Sequence, residues 1–400
     1  MKKVLFAMVA LLAAAASGWA QTTPQQQWTG TWATAPEWTG KGDMPQTTTL
    51  TDCSVRQTVR VSLGGSRLRM QLSNEFSAEP VEIKGVYVAD AGDSTVIDGR
   101  SVQWLKFGGR QAVTIEAGKA VYSDAFKYKL RPLQRLSITV IYGKTPVNAT
   151  SHRGSRTTSY IMKGEAKPKR PFVTTEKVDH WYSIAAIDVQ DAQGSCIPVI
   201  GNSITDGRGS TTNAQNRWPD MANSVLAPQG IGLLNLGIGG NSVVRGGLSE
   251  PALKRFDRDV MGQRGFRAIV VFEGVNDIGG STGHSEQTAK ELIAAYEQFI
   301  EKGHAQGAKV IGATITPLRK SFYANEGFFF KEAARQTVNE WIRTSGKFDG
   351  VIDFDALMRD ESDPTILKAA LQEDWLHPNA EGYRVMGEFA AKEILRLMNQ

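Results

Sequence analysis

Between about Trp28 and Tyr182 the chain alternates apolar and polar residues in short runs, among them RQTVRVSL (56–63), RLRMQLS (67–73), VEIKGVYV (81–88) and RLSITVIY (135–142). Successive side chains of a strand point to opposite faces, so a period of two reads as half-buried strands. Several such runs, cut by Gly- and Asp-rich turns, predict an antiparallel β-sandwich of jelly-roll kind over 28–182. LGGSR (63–67) reads as a hairpin turn between the first two runs. This half shows no convincing helix, no internal repeat and no low-complexity tract.

The pattern changes near Ser183. Apolar runs CIPVI (196–200), GLLNLGI (232–238), RAIVVFEG (267–274), AKVIGATI (308–315) and GVIDF (350–354) now alternate with helix-length segments. RWPDMANSVLA follows the first run, the amphipathic HSEQTAKELIAAYEQFIEKGHAQG lies between the third and fourth, and NAEGYRVMGEFAAKEILRLM closes the chain. Strands alternating with helices predict a parallel sheet covered by helices, an α/β domain over 183–400.

The first twenty residues fit neither pattern. MKKVLFAMVALLAAAASGWA carries two lysines, an apolar run from Val4 to Ala16, and small residues at Gly18 and Ala20. That grammar predicts a signal peptide at 1–20 with cleavage near Gln21. Its apolar run is too short for a comfortable span, and no later stretch reaches the roughly 20 apolar residues a bilayer requires. The expectation is a soluble, exported protein, periplasmic or extracellular, without a membrane span or an N-terminal lipid anchor.

Composition narrows the partners. There are 46 Lys+Arg against 41 Asp+Glu, a formal net charge of +5, and Lys2 and Lys3 supply two of those positive charges. A nucleic-acid binder is usually more basic. A modest positive field favours acidic polysaccharides or anionic surfaces, but a balance this slight serves solubility. The two cysteines, Cys53 and Cys196, either form one bridge in an oxidising compartment or sit as separately buried thiols. With no histidine nearby they do not suggest a structural zinc site.

The chemistry-bearing segments fall at strand ends. Gly201-Asn202-Ser203-Ile204-Thr205-Asp206-Gly207 follows the first apolar strand of the second half. A serine in a tight turn at the carboxyl edge of a parallel sheet points into the crevice where open α/β folds bind ligands. A helix following it adds positive partial charge and free N–H groups. Thr205 replaces the second glycine of G-x-S-x-G, so an α/β-hydrolase elbow is not supported. Near the C-terminus stands Asp374-Trp375-Leu376-His377-Pro378-Asn379. Serine needs a base to take its proton, and a histidine works best when a carboxylate fixes its tautomer. A spacing of three lets one local turn deliver both. His152, His180, His284 and His304 have no comparable acidic neighbour at that spacing, and His284 and His304 read as solvated loop or helix-end residues.

Two further segments offer donors for a tetrahedral oxyanion. Asn235-Leu236-Gly237-Ile238-Gly239-Gly240-Asn241 has glycines that let a backbone N–H approach closely, and Glu273-Gly274-Val275-Asn276-Asp277 ends another strand with an amide at Asn276. Arg208, Arg217 and Trp218 either line a substrate cleft or form a salt-bridged helix start with a core tryptophan.

These four blocks, in this order, resemble the SGNH (GDSL-type) hydrolase family over about residues 196 to 400. The resemblance implies a three-layer, flavodoxin-like α/β/α domain. It implies Ser203 as nucleophile, His377 as base and Asp374 as its orienting acid. The oxyanion hole would be formed by the Ser203 and Gly240 backbone N–H groups and the Asn276 amide, with no metal or cofactor. Asn202 departs from the family's usual aspartate, which puts local turn geometry in question but not the reaction. With the β-sandwich in front, the architecture also resembles two-domain bacterial carbohydrate esterases. The function implied is a secreted serine esterase acting on short-acyl, O-acetyl esters of small molecules or polysaccharides. Rival readings are a lipase, lysophospholipase or arylesterase, a peptidase sharing the triad, and a non-catalytic sugar-binding protein. WTGTWATAPEW (28–38) offers tryptophans that either stack on sugar faces or pack between the domains.

Overall fold

The computed structural model describes residues 28–190 and 194–399, so the leader read at 1–20 lies outside the described residues. Antiparallel strands come first: β1 (Thr29–Ala33), β2 (Cys53–Arg60), β3 (Gly65–Ser73), β4 (Val81–Asp90), β5 (Arg135–Tyr142), β6 (Ser159–Lys163) and β7 (Ile184–Gln190). Among the described residues they form two main sheets. One runs β1-β7-β3, with Ala120–Tyr122 and Phe126–Leu130 both added to β3. The other centres on β6-β2-β5-β4. The inward faces enclose a core of Val55, Leu68, Val86, Ile138, Trp181 and their neighbours. Trp32 belongs to that core, edge-on to Trp181 at 5.2 Å, whereas Trp38 is exposed.

The segment LGGSR does not make a hairpin. The strands it joins lie in different sheets, β2 against β5 and β6, and β3 against β7. It is a crossover from one layer to the other. Its glycines serve close approach: a Cβ on Gly65 would lie 2.1 Å from a Val189 methyl and 2.4 Å from the Gln190 carbonyl.

The change of architecture also falls later than the sequence pattern puts it. Strand β7 begins at Ile184 and pairs with β1 and β3, Thr29 lying opposite Val189, so the antiparallel sheet extends past 183. The parallel sheet starts with β8 (Ser195–Gly201). After it come the helical turn α1 (Ser203–Asp206), α2 (Trp218–Leu226), β9 (Ile231–Gly237), β10 (Ala268–Phe272), α3 (Ser285–Ala305), β11 (Lys309–Ala313), α4 (Phe328–Thr344), β12 (Gly350–Ile352) and α5 (Ala380–Met398). The strand order β9-β8-β10-β11-β12 reverses direction at β8, and ligands of open α/β sheets bind at such a switch point. Strands and helices enclose a second core that includes Ile200, Trp218, Leu236, Val270, Phe272 and Tyr383. The fold is thus a helix-covered parallel sheet preceded by a strand-rich antiparallel sandwich.

The two halves pack directly. Gly30 of β1 lies against Leu234 of β9, where a Cβ would come within 2.8 Å, and its N–H donates to the Arg264 carbonyl at 2.9 Å. Cys53 sits in the sandwich core and Cys196 in the parallel-sheet core, both as buried free thiols. Burial pushes the Cys196 thiol up to about 12, so it stays protonated and inert. Among the described residues no helix is long and apolar enough to cross a membrane.

Candidate active site

Register brings the site together. Gly201 of β8 lies level with Gly237 of β9 and with Phe272 of β10, so the segments that leave these strands emerge at one edge. Those segments carry Ser203, Gly240 and Asn276. A fully buried arginine locks the edge: Arg255 donates to the carbonyls of Gly201 (3.1 Å) and Leu236 (2.8 Å), and to the Asn241 side chain (2.9 Å). It pairs with Asp259 at 3.1 Å. Burying a guanidinium is costly unless its donors are met, and here carbonyls from two strands meet them.

Only one helical turn follows Ser203, ended by Gly207 in the left-handed region at φ 99°. Asn202 caps the turn by accepting the Ile204 N–H at 3.0 Å, while its Nδ2 donates to Glu273 at 3.2 Å. Glu273 is fully buried, and burial pushes its carboxyl up to about 8. The amide at position 202 therefore has a physical reason. An aspartate there would face Glu273 with a second carboxylate, and the pair would have to hold a proton between them.

The serine Oγ lies 2.8 Å from His377 Nε2. On the other side of the ring, Nδ1 lies 2.8 Å from Asp374 Oδ2. One turn delivers acid and base: Asp374 Oδ1 accepts the backbone N–H of His377 at 2.8 Å and of Leu376 at 3.1 Å, with Trp375 at φ 65° bending the chain back. Burial lowers the His377 pKa below its ordinary value. The Asp374 hydrogen bond opposes this, and the Arg208 and Arg156 guanidinium groups reinforce it. The ring is therefore neutral at pH 7, as a general base must be.

Among the described residues neither the Ser203 nor the Gly240 backbone N–H has a protein acceptor. Asn276, in the short helix Val275–Gly279, donates one Nδ2 hydrogen to the Asn241 carbonyl at 2.6 Å, leaving the second available. Asp277 accepts the N–H groups of Val243 and Val244 at 2.9 and 3.2 Å, which fastens the turn after Gly240 to the helix that carries Asn276.

One residue beside the site, Tyr323, carries no signal in the sequence. Tyr323 donates its hydroxyl to Asn276 Oδ1 at 2.8 Å, and this fixes the amide with its nitrogen toward the Asn241 carbonyl. Its ring passes so close to Gly279 that a Cβ there would lie 2.4 Å away. Tyr323→Phe is expected to lower kcat about 3- to 10-fold with KM unchanged, the worth of one hydrogen bond, measured by steady-state hydrolysis of an activated ester. Arg208 lines the cavity, but Arg217 pairs with Asp220 at 2.6 Å and Trp218 is fully buried. His304 lies in the last turn of α3 and reaches Asp349 at 2.8 Å, and His284 stands at the N-terminal boundary of that helix with its ring against the Thr282 carbonyl.

The cavity over Ser203 and His377 is about 660 Å³. Residues of the antiparallel half, including Glu37, Arg153, Arg156 and His180, form one of its walls. Such an arrangement, a serine hydroxyl relayed through histidine to a carboxylate with unspent N–H donors beside it, suits acyl transfer from an ester.

Fold and site define a carboxylic ester hydrolase on a helix-covered parallel sheet. Residues 199–385 match the model of the GDSL-like lipase/acylhydrolase family. The chain is similar to the psychrotrophic esterase EstA of a Pseudoalteromonas species at 19% identity, over 51% of this chain and 99% of that one, with a TM-score of 0.39. A GDSL-like lipase of Bacteroides thetaiotaomicron is similar at 20% identity, over 50% of this chain and 88% of that one, with a TM-score of 0.38. A carbohydrate esterase family 2 enzyme with a carbohydrate-binding domain, from Corynascus thermopiles, aligns over 92% of this chain and all of its own, at 13% identity and a TM-score of 0.38. No curated protein matches the chain.

Proposed function

We propose that this protein is an exported serine esterase that removes short acyl groups, O-acetyl above all, from carbohydrate. Ser203 is the nucleophile, His377 the base and later the acid, and Asp374 holds the imidazole in its working tautomer. Ser203 Oγ attacks the ester carbonyl as its proton passes to His377 Nε2. The oxyanion is met by the Ser203 and Gly240 N–H groups and the free Asn276 hydrogen. The alcohol leaves with the proton from His377, and a water activated by the same ring hydrolyses the acyl-enzyme.

The unbroken relay Ser203–His377–Asp374, 2.8 Å at each link, carries this reading. The substrate class rests on the wall of the cavity. Glu37, Arg153, Arg156, His180 and Arg208 surround the nucleophile with polar groups, which suit a hydroxylated leaving group, whereas a long acyl chain needs a continuous apolar channel. Export rests on the leader-like segment at 1–20. One observation favours a second reading: Leu248 and Phe322, 69% and 66% exposed, stand on the cavity lining and would receive an aryl or lipid ester.

Hydrolysis of p-nitrophenyl esters from acetyl to long acyl chains separates the two. A kcat/KM that peaks at acetyl and falls about tenfold or more by eight carbons is expected. A maximum at long chains would transfer the assignment to lipid esters.

A further inference from the structure

Asp206 is a fully buried carboxylate beside the reacting centre, and the four blocks of the sequence reading give it no role. It ends the helical turn that Ser203 begins. It also touches the glycine turn on the other side: a Cβ on Gly239 would lie 3.6 Å from Asp206 Oδ2, and the next residue is Gly240. A full negative charge thus sits close to the place where the oxyanion forms. Left alone it would oppose that charge in a medium of low dielectric.

The antiparallel half answers it. His152 Nε2 lies 3.0 Å from Asp206 Oδ1, and Arg156 donates to Oδ2 at 3.1 Å. Gly154 makes the approach possible, since a Cβ there would lie 1.9 Å from Oδ2. The other ring nitrogen, His152 Nδ1, lies 3.0 Å from the Ala35 carbonyl and 3.5 Å from Glu37 Oε1. Both nitrogens therefore face groups that only accept, and a neutral imidazole has a single N–H to offer. Trp181 stacks on the ring with centroids 5.8 Å apart, and Arg217 lies over that indole at 5.7 Å. Arg153 is bound to Glu37 at 2.6 Å. Of the charged groups around the ring, Asp206 and Glu37 face it directly, while Arg153, Arg156 and Arg217 engage those carboxylates or the indole. Burial pulls the His152 pKa down, but the Asp206 hydrogen bond and charge, with Glu37, outweigh it and hold it above its ordinary value.

We propose that His152 is a positioning residue of the esterase: its imidazolium holds and neutralises Asp206 beneath the oxyanion turn, so turnover needs two histidines in opposite charge states, His377 neutral and His152 protonated. The proposal rests on the serine esterase reading and assigns the sandwich a part in catalysis. The pH dependence follows with definite signs. The acid limb of kcat is set by His377, which must lose its proton. The alkaline limb is set by His152, which must keep its own.

The test is the kcat–pH profile on p-nitrophenyl acetate of the wild type, His152→Gln, Asp206→Asn and the double variant, in the full-length protein. His152→Gln is expected to lower kcat about 10- to 100-fold with KM within about threefold, and to lack the alkaline limb. The double variant, in which the charge needing neutralisation is gone, is expected to recover at least about fivefold over His152→Gln. A folded His152→Gln protein with wild-type kcat and an intact alkaline limb would overturn the proposal. So would a double variant no better than the single one. If the variants do not fold, ring ¹⁵N–¹H spectra of the wild type near pH 7.5 decide: both N–H protons of His152 protected from exchange supports it, and a single N–H refutes it. Loss of the parent reading would look different, since a Ser203 variant with undiminished hydrolysis undermines the triad and leaves the His152 spectrum unchanged.

Discussion

Ser203→Ala is expected to lower kcat/KM on p-nitrophenyl acetate roughly 10⁴- to 10⁶-fold, the scale seen when a triad serine is removed. Removing the Oγ takes away the atom that lies 2.8 Å from His377 and leaves the turn in place, because the Asn202 cap and the Ile204 N–H do not involve that oxygen. Far-UV circular dichroism and thermal midpoint are therefore expected to match the wild type. The comparison with His377→Ala sharpens the result. The two residues act as a unit, so the double variant is expected to be no slower than either single one. A Ser203→Ala protein that keeps more than a tenth of wild-type activity would remove the serine from the mechanism.

Asn276→Ala is the second large effect. Loss of one oxyanion donor costs about 10²- to 10³-fold in kcat, with KM nearly constant, because the bond is made to the transition state. Here the side chain has a second task, since its Nδ2 also holds the Asn241 carbonyl at 2.6 Å. The Gly240 turn keeps its other anchors, the Asp277 carboxylate and Arg255, so the fold is expected to survive. Steady-state kinetics on acetyl and butyryl esters check this. Equal losses on both would mark an oxyanion role, and a loss confined to one acyl length would mark a role in substrate fit.

What could be read beforehand was whatever is carried by local spacing. Ser203 lies three residues past the end of an apolar run, and Asp374 and His377 lie three apart, so strand periodicity and a single turn make them candidates, and the resemblance of the four blocks to a known family assigns their roles. The parallel strands showed for the same reason, being short apolar runs with helix-length intervals between them. Contacts between distant segments gave no such signal. His152 and Asp206 are 54 positions apart, and Asn276 and Tyr323 are 47 apart. Neither pair has a periodicity that would join it. Helix α4 has a masked pattern: it opens on Phe328-Phe329-Phe330, of which Phe329 and Phe330 stand in solvent, so its first turn hides the amphipathic face that buries Ala334, Val338 and Ile342. LGGSR misled in another way. Two glycines between alternating runs look alike whether the chain doubles back beside itself or crosses to a facing sheet.

The pairing of β1 with β7 has a bearing on how the chain assembles. The first described strand finds its partner in the last strand before the parallel sheet, Thr29 opposite Val189, and Gly30 is also bonded to Arg264. The sandwich cannot close until its whole length is available, and the Gly30 bond to the Arg264 carbonyl forms only after the neighbouring domain has begun. Such non-local pairing is slow, because loop entropy is lost before any contact repays it. The opening strand therefore stays without its sheet partner until most of the first half of the molecule has been made.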